Sequence, residues 1–435
     1  VGLNVASDPL MSLAYVGIKG GMVVLVADDP GPMSSQTEQD TRFFGRYANL
    51  PALDPATPTE AYQMMKFAFG FSEKIGKPVI LRPTTRVCHG SETLELSGQR
   101  EVVEISGFVK DPRWVIFPPL AFRRHQELAE KLPVWGEELG QLPFNYLQKQ
   151  DSRLGVVTGG CTTAFVEEII DTYTLPLNLL KIGTPQPFPQ GLAAEFLGLC
   201  DQVLVLEELS PVLEEALLET AYQQNLKVEI KGKKTGSCPQ AGELGYAVVL
   251  KALADFAGLE LPQDKTETLA LPGRTPVLCA GCPHRAAFYA VKLASGEKGI
   301  YTGDIGCYTL GNAPPLNMTD TCLCMGAGLT IAQGLKIAQP DQPLFAFIGD
   351  STFFHSGITG AINAVYNQTD INIMILDNST TAMTGHQTHP GLGKTLLGAA
   401  SEPISILKLL QAIGIPVEEV NPFDQAEATE AVRRA

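Results

Sequence analysis

The sequence predicts an α/β protein built from parallel sheets, because short apolar strands alternate with helices along most of its length. Strand-like runs such as LGVVTGG, LNLLKIG and DQVLVLEEL are separated by helical stretches such as CTTAFVEEIIDTY and QGLAAEFLGL. Neighbouring parallel strands need a crossover connection, so this alternation favours sheets that are covered by helices on both faces. With 435 residues, the chain is long enough for several such units.

The order of the predicted elements divides the chain into three α/β units and one linker. Residues 1–100 hold the strands GMVVLVADDP and KPVILRPTTRV, with a helix between them for which Thr59 or Thr57 is the expected N-cap. Residues 101–148 are predicted to be a linker that carries a helix at FRRHQELAEKL. Residues 149–270 form the second unit, and residues 271–435 form a third with the strands GIYTGDI, LFAFIGD and INIMILDN.

Composition argues against several classes of partner. The net charge is −15, from 32 Lys and Arg against 47 Asp and Glu, so neither nucleic acid nor an anionic membrane is an expected partner. No apolar run reaches the roughly 18 residues of a membrane span. The nine cysteines are an odd number and no secretion signal is evident, which predicts reduced thiols and a cytoplasmic protein.

Two apolar strands of the third unit end in polar side chains that suit a cation. LFAFIGD ends at Asp350, and INIMILDN ends at Asn378 about one helix length later. A right-handed crossover places consecutive parallel strand ends at one edge of the sheet. A carboxylate and an amide oxygen there suit Mg²⁺, which often bridges to phosphates. The alternative is that Asp350 caps a helix and Asn378 caps a turn.

Several motifs of the third unit resemble one family of enzymes. The GDS motif and the later Asn378 resemble the diphosphate-binding signature of thiamine-diphosphate (TPP) enzymes, and CMGAGLTIAQGLKIA resembles the helix that lies along the cofactor in them. TTAMTGHQTHPG, VLCAGCPHRAAFYAVK and GDIGCYTLGNAPPLN resemble the 2-oxoacid:ferredoxin oxidoreductases, in particular the α subunits of indolepyruvate ferredoxin oxidoreductase. VGLNVASDPLMSLAYVGIKGGMVVLVADDPG is similar to the first domain of these subunits, so the resemblance covers essentially the whole chain.

The resemblance gives each unit an expected role. It implies three parallel-sheet α/β units of the TPP-enzyme type: the remainder of a pyrimidine-binding domain in 1–100, a transketolase C-terminal-like domain in 149–270 and a diphosphate-binding domain in 271–435. We expect the printed sequence to lack the start of the first domain, where the family carries the acid that activates the aminopyrimidine. We also expect it to lack the family's C-terminal ferredoxin-like domain. The motif GDS replaces the commoner GDG.

The same resemblance implies a set of cofactor residues. Mg²⁺ would be held by Asp350, Asn378 and Thr380. TPP would be bound by a larger set, with Met325 and Gly326 near the thiazolium: Gly349, Asp350, Ser351, Asn378, Thr380, Thr384, Cys307, Met325 and Gly326.

A group of cysteines in the third unit is the candidate for a second metal centre. Cys279 and Cys282 form a CxxC pair, and Cys307 follows the predicted strand GIYTGDI. The CxxC spacing alone leaves zinc, an iron–sulfur cluster and no metal open. The resemblance favours a [4Fe–4S] cluster with Cys324 as fourth ligand, with Cys322 or a residue outside this chain as alternatives.

Three side chains are candidates for catalysis. Arg285 could hold a 2-oxoacid carboxylate by paired hydrogen bonds, next to His284, although both could also belong to an ordinary helix start. His386 could exchange a proton with a substrate carbonyl near neutral pH. His389, which precedes Pro390, is expected to be a turn residue.

The resemblance implies oxidative decarboxylation of an arylpyruvate, of the indolepyruvate type, with coenzyme A. Electrons would pass through iron–sulfur clusters to ferredoxin. We expect a homodimer that also binds a smaller β subunit. Two alternatives stay open: a non-oxidative TPP-dependent decarboxylase or synthase, and a subunit that holds TPP but is inactive without a partner.

Overall fold

The computed structural model describes residues 2–33, 35–96, 107–261, 271–296 and 298–435. It divides into two compact units, Gly2–Thr266 and Glu267–Ala435. Within the described ranges, every helix is too short or too polar to cross a bilayer.

The unit Gly2–Thr266 begins with a three-stranded parallel sheet in the order β1-β3-β2. Its helix α4 starts as the sequence predicts, because Thr57 Oγ1 accepts a hydrogen bond from the Glu60 N–H at 3.1 Å and Pro58 occupies the first turn. The elements are α1 (Gly2–Val5), α2 (Ser7–Val16), β1 (Val23–Leu25), α3 (Thr41–Ala48), β2 (Ala52–Leu53), α4 (Pro58–Ile75), β3 (Val79–Leu81) and α5 (Thr85–His89).

A five-stranded sheet follows in the same unit, in the order β4-β6-β5-β7-β8. Its strands are parallel except β4, which runs antiparallel to β6. Helices α7 and α10 pack with one apolar cluster, and α8 and α9 with another. The elements are α6 (Pro118–Gly140), β4 (Asn145–Gln148), β5 (Leu154–Thr158), α7 (Thr162–Tyr173), β6 (Asn178–Ile182), α8 (Gln190–Leu199), β7 (Gln202–Leu206), α9 (Val212–Gln223), β8 (Glu229–Lys231) and α10 (Tyr246–Ala257).

The stretch predicted as a linker contains regular structure at its end. Helix α6 covers the predicted helical segment, and β4 is an edge strand of the five-stranded sheet. Residues 97–106, where the predicted linker starts, lie outside the described residues.

Two arginines with buried side chains lie at the centre of an ion-pair network in this unit. Arg82 donates from Nε to Asp28 at 2.7 Å and from Nη1 to Asp54 at 3.1 Å. Arg42 donates from Nη1 to Glu207 at 2.8 Å. Both arginine side chains are only 2% exposed, so the network lies inside the unit rather than on its surface.

The unit Glu267–Ala435 is built on a three-stranded parallel sheet in the order β11-β10-β9. All six residues of β10 are buried, and Phe347 on β10 packs on Phe288 of α11 with ring centroids 4.6 Å apart. The elements are α11 (Pro283–Ser295), β9 (Ile300–Thr302), α12 (Ala327–Ala338), β10 (Leu344–Gly349), α13 (Asp350–Thr352), a π-helical turn (Phe353–Gly357), α14 (Ile358–Tyr366), β11 (Asn372–Leu376), α15 (Ile406–Ala412) and α16 (Gln425–Arg434). Three parallel-rich sheets therefore confirm the predicted α/β class.

Candidate active site

The site is built at the carboxyl end of two neighbouring parallel strands. Gly349, the last residue of β10, is in register with Leu376, the last residue of β11. Asp350 and Asp377 therefore leave the sheet at the same edge, and Asn378 follows directly. Gly349 admits the close approach of Tyr308, since a Cβ there would lie 2.6 Å from its Cε1.

Asp350 is a buried carboxylate, and one of its two oxygens has no hydrogen-bond partner among the described residues. Its side chain is 4% exposed, and Oδ1 accepts the Ser351 N–H at 2.7 Å. Oδ2 lies 3.2 Å from Nε2 of His389, yet among the described residues it has no hydrogen-bond partner. Burial raises the pKa of Asp350, the neighbouring Asp377 carboxylate raises it further, and His389 lowers it. A buried carboxylate next to a second carboxylate favours the binding of a cation, which would neutralise part of the negative charge.

The loop after β11 is ordered by hydrogen bonds of its polar residues, one of which joins it to the segment after β10. Asn378 Oδ1 accepts the Thr380 N–H at 3.2 Å, across Ser379, whose φ is +54°. Thr381 donates its Oγ1–H to Ser351 Oγ at 2.8 Å. This last bond links the loop after β11 to the start of the segment after β10.

The start of helix α12 is fixed by a buried aspartate, Asp304. Its carboxylate accepts the Gly326 N–H at 2.9 and 2.8 Å and the Gly328 N–H at 3.2 Å. Gly326 has φ +89°, and a Cβ there would meet Ser356 Oγ at 2.6 Å. Ser356 in turn donates to the Met325 carbonyl at 2.9 Å. Glycine at 326 is therefore required both by the backbone conformation and by the space available.

These residues could supply oxygen ligands to a divalent cation. Asp350 supplies a buried oxygen without a hydrogen-bond partner in the described part of the chain, Asp377 adds a second carboxylate, and Asn378 adds an amide oxygen. Hard oxygen ligands from one or two carboxylates, completed by phosphate and water, are the usual environment of Mg²⁺.

Comparison with known proteins gives this site a family. Residues 304–435 match the family described as thiamine pyrophosphate enzyme, C-terminal TPP binding domain. The indolepyruvate oxidoreductase subunit IorA of Thermococcus kodakarensis is 40% identical over 465 residues, covering 100% of this chain and 71% of that protein. The IorA subunit of Methanothermobacter thermautotrophicus is 41% identical, covering 100% of this chain and 72% of that protein. The chain belongs to the IorA family of indolepyruvate oxidoreductase subunits. As a member of that family it is an oxidoreductase subunit with a TPP-binding C-terminal domain.

Similarity to solved structures is weaker. The 2-oxoglutarate:ferredoxin oxidoreductase from Magnetococcus marinus is matched with a TM-score of 0.42 and 14% identity, over 59% of this chain and 52% of that one.

The predicted catalytic side chains occupy three different environments in this family member. His386 is exposed, has φ +60° and lies with Nδ1 3.4 Å from Thr380 Oγ1. His284 is 4% exposed, and neither ring nitrogen has a partner among the described residues. Arg285 donates from Nε to the carbonyls of Leu278 at 3.1 Å and Cys279 at 3.0 Å. Of these three side chains, only His386 lies in the loop that follows β11.

Thr384, the remaining predicted cofactor-binding residue of that loop, forms its hydrogen bonds within a local turn. Thr384 donates Oγ1–H to Gln387 Oε1 at 2.6 Å, and Gln387 returns a bond to the Thr384 carbonyl at 2.8 Å. Thr384 therefore closes the turn between residues 384 and 387.

The predicted cluster cysteines are only partly brought together. Cys282 and Cys307 pack against the same apolar cluster, and the Cys282 N–H donates to the Cys279 carbonyl at 3.3 Å. Burial raises the pKa of Cys307, and Cys282 and Cys279 raise it further. Cys324 is exposed, and its carbonyl accepts the Ala327 N–H at 3.0 Å near the start of α12. Across the described residues, no set of three or more His, Cys, Asp or Glu side chains is placed to hold a metal ion. The four cysteines thus do not form a cluster-sized ligand set in this structure.

Sequence reasoning missed three residues of the site. Asp377 lies directly after β11 and before Asn378, so its acid type and its position at the strand end are evident from the sequence. Asp304 stands in the segment GDIGCYTLGNAPPLN, but its bonds to Gly326 and Gly328 span a long stretch of sequence. His389, expected to be a turn residue, does begin a turn at Pro390, yet its ring also reaches Asp350.

Proposed function

We propose that this chain is the TPP-holding subunit of an enzyme that oxidatively decarboxylates an arylpyruvate, of the indolepyruvate type, with coenzyme A. The enzyme would pass the electrons released in this reaction to ferredoxin. Family membership supports the oxidoreductase class, and the printed name of the relatives supports indolepyruvate as the substrate type.

The observation that carries the cofactor assignment is the buried Asp350 oxygen at the end of β10. Within the described structure it lacks a hydrogen-bond partner, and it lies next to the Asp377 carboxylate. Leaving a buried acceptor unpaired costs about 1–3 kcal/mol, more for a charged group, so a cation that binds here removes a penalty already present in the fold. We assign Mg²⁺ to Asp350 and Asn378, with Thr380 as the third protein ligand and Asp377 as an addition to the predicted set.

The side chains around this edge then have separate tasks. When bound, TPP supplies the electron sink that decarboxylation of a 2-oxoacid requires. Gly349 and Ser351 would border the diphosphate of bound TPP, while Met325 and Gly326 precede α12. His386, exposed beside Thr380, is the group that we assign to move a proton at the substrate carbonyl. His284 is enclosed and Arg285 is engaged by backbone carbonyls, so we assign both to shaping the start of α11.

The binding test is calorimetric titration of TPP with and without Mg²⁺. Asp350→Ala should weaken Mg²⁺-dependent TPP binding at least about 100-fold, since removing even a residue that orients a metal ligand costs 10–100-fold. Asp341→Ala removes an exposed carboxylate from the same unit and should leave the affinity unchanged. Equal affinity in Asp350→Ala and the parent protein would contradict the site.

The activity test is reduction of a viologen dye by an arylpyruvate, measured without oxygen. We expect a rate that requires TPP, Mg²⁺ and coenzyme A and that rises when the smaller β subunit is added. CO₂ release without dye reduction would instead support a non-oxidative decarboxylase. A homodimer, to be measured by light scattering, completes the proposed assembly.

We propose separately that a [4Fe–4S] cluster, bound by Cys279, Cys282, Cys307 and Cys324, lies on the electron path. The packing of Cys282 and Cys307 against one apolar cluster supports it, although no group of three or more metal-binding side chains is found among the described residues. Cys279→Ser and Cys307→Ser should lower the iron content of protein purified without oxygen. Cys88→Ser, at an exposed cysteine of the other unit, is the matched control. Iron that is unchanged in all three variants would contradict the cluster.

A further inference from the structure

His389 is a buried imidazole whose surroundings determine which nitrogen carries the proton. Its Nδ1 accepts the Gly391 N–H at 3.2 Å. A neutral imidazole has one donor nitrogen and one acceptor nitrogen, so the proton lies on Nε2. Nε2 is the atom that lies 3.2 Å from Asp350 Oδ2, and both side chains are at most 5% exposed. The nitrogen that carries the proton therefore lies close to a carboxylate oxygen inside the fold.

The ring is held in this position from two sides. It stacks on Phe354 with centroids 5.6 Å apart and planes 26° from parallel. On another side lies Gly391, where a Cβ would meet His389 Cε1 at 3.1 Å and Nδ1 at 3.2 Å. The imidazole has little room to turn, so packing and the hydrogen bond from Gly391 together hold Nε2 close to Asp350 Oδ2.

Asp350 has enough acceptor capacity for both a protein donor and a cation. An ionised carboxylate offers about four lone-pair positions. The Ser351 N–H occupies one on Oδ1, and His389 faces Oδ2. Neither Asp350 Oδ2 nor His389 Nε2 has a hydrogen-bond partner among the described residues, so their 3.2 Å approach is a close electrostatic contact and both atoms keep unused hydrogen-bonding capacity.

We propose that His389 is a positioning residue, which orients the Asp350 carboxylate so that its free lone pairs face the strand end at Asp377 and Asn378. This inference rests on the proposed function, because it assigns His389 a role toward the cation that Asp350 would bind. A donor that fixes the orientation of a ligating carboxylate raises metal affinity without touching the metal.

The test is the Mg²⁺ concentration that half-saturates TPP binding, measured by calorimetry in two matched variants. His389→Phe keeps a ring against Phe354 but removes both nitrogens, and should raise the Mg²⁺ requirement about tenfold or more. At saturating Mg²⁺ its TPP affinity should return close to that of the parent protein. His389→Gln offers an N–H donor again and should restore most of the Mg²⁺ affinity. If His389→Phe only disturbed the fold, TPP affinity would be lower at every Mg²⁺ concentration.

Three results separate the possible failures. An unchanged Mg²⁺ requirement in His389→Phe, while Asp350→Ala loses binding, overturns the role of His389 alone. Equal losses in His389→Phe and His389→Gln overturn it as well. Unchanged binding in Asp350→Ala overturns the cation site and with it this inference. Should His389→Phe fail to fold, Gly391→Ala crowds the imidazole without removing it, since its Cβ would lie 3.1 Å from Cε1, and an unchanged Mg²⁺ requirement there counts against the proposal.

Discussion

Replacing Arg82 by methionine should destabilise the unit Gly2–Thr266 by about 3–5 kcal/mol, the usual cost of removing one partner from a buried ion pair. The change removes the bonds of 2.7 Å to Asp28 and 3.1 Å to Asp54. Both carboxylates are buried, at 6% and 2% exposure, so water cannot replace the lost guanidinium without opening the structure. Methionine fills much of the same volume, so a cavity contributes little.

The assay is urea unfolding followed by tryptophan fluorescence. The two tryptophans, Trp114 and Trp135, both lie in Gly2–Thr266, so the signal reports on this unit alone. Lys149→Met removes the same charge from an exposed ion pair with Glu195, of 2.6 Å and about half exposed on each side. It should cost no more than about 1 kcal/mol.

The pH dependence of the Arg82→Met variant gives an independent check. Burial raises the pKa of Asp54 above 3.8, and Arg82 counteracts that rise. Between the unfolded and the folded pKa the native state binds more protons than the unfolded state, so stability falls as pH rises through this window. Without Arg82 the folded pKa is higher still. The difference in the free energy of unfolding between the parent protein and Arg82→Met should therefore narrow as the pH is lowered.

Two outcomes would refute the reasoning about Arg82. A loss below about 1 kcal/mol would mean that the network behaves like a surface ion pair. A gap that widens on acidification would mean that the uncompensated carboxylates are not the source of the instability.

Three further predictions concern the unit Glu267–Ala435. Gly326→Ala places a Cβ 2.6 Å from Ser356 Oγ at φ +89°, and scanning calorimetry should show a loss of more than about 1 kcal/mol. Asp304→Ala leaves the Gly326 and Gly328 N–H groups unpaired and should cost about 2 kcal/mol or more by the same measurement. Thr381→Val removes the hydroxyl that donates to Ser351 at 2.8 Å, and should weaken TPP binding about fivefold in calorimetry, equivalent to about 1 kcal/mol. Unchanged stability or affinity in any of these would contradict the contact concerned.

The backbone of the site could be predicted from the sequence because its signals are local. LFAFIGD and INIMILDN are apolar runs that end in polar residues, and β10 and β11 do end there as parallel neighbours. Thr57 is the N-cap of α4 and accepts a hydrogen bond from the Glu60 N–H, three residues later. Of the two predicted N-caps, Thr57 and Thr59, the first is therefore confirmed. Periodicity and capping act over one helical turn, which is why single-sequence reasoning finds them.

The contacts that complete the site could not be predicted in the same way. His389 reaches Asp350, and Asp304 reaches Gly326, only after the sheet has placed distant segments side by side. Arg82 likewise meets Asp28 and Asp54 across two strands. A histidine before a proline or an acid after a short strand carries no local sign of such a partner, since tertiary packing alone brings the two together.

The central claim is that the ends of β10 and β11 hold a divalent cation through Asp350. The most direct measurement is a crystal structure of this protein grown with saturating Mg²⁺ and TPP. Our account predicts a cation about 2.1 Å from an Asp350 carboxylate oxygen, with Asn378 and two diphosphate oxygens in its coordination shell. A diphosphate bound away from this strand edge, or a cation that Asp350 does not contact, would contradict it.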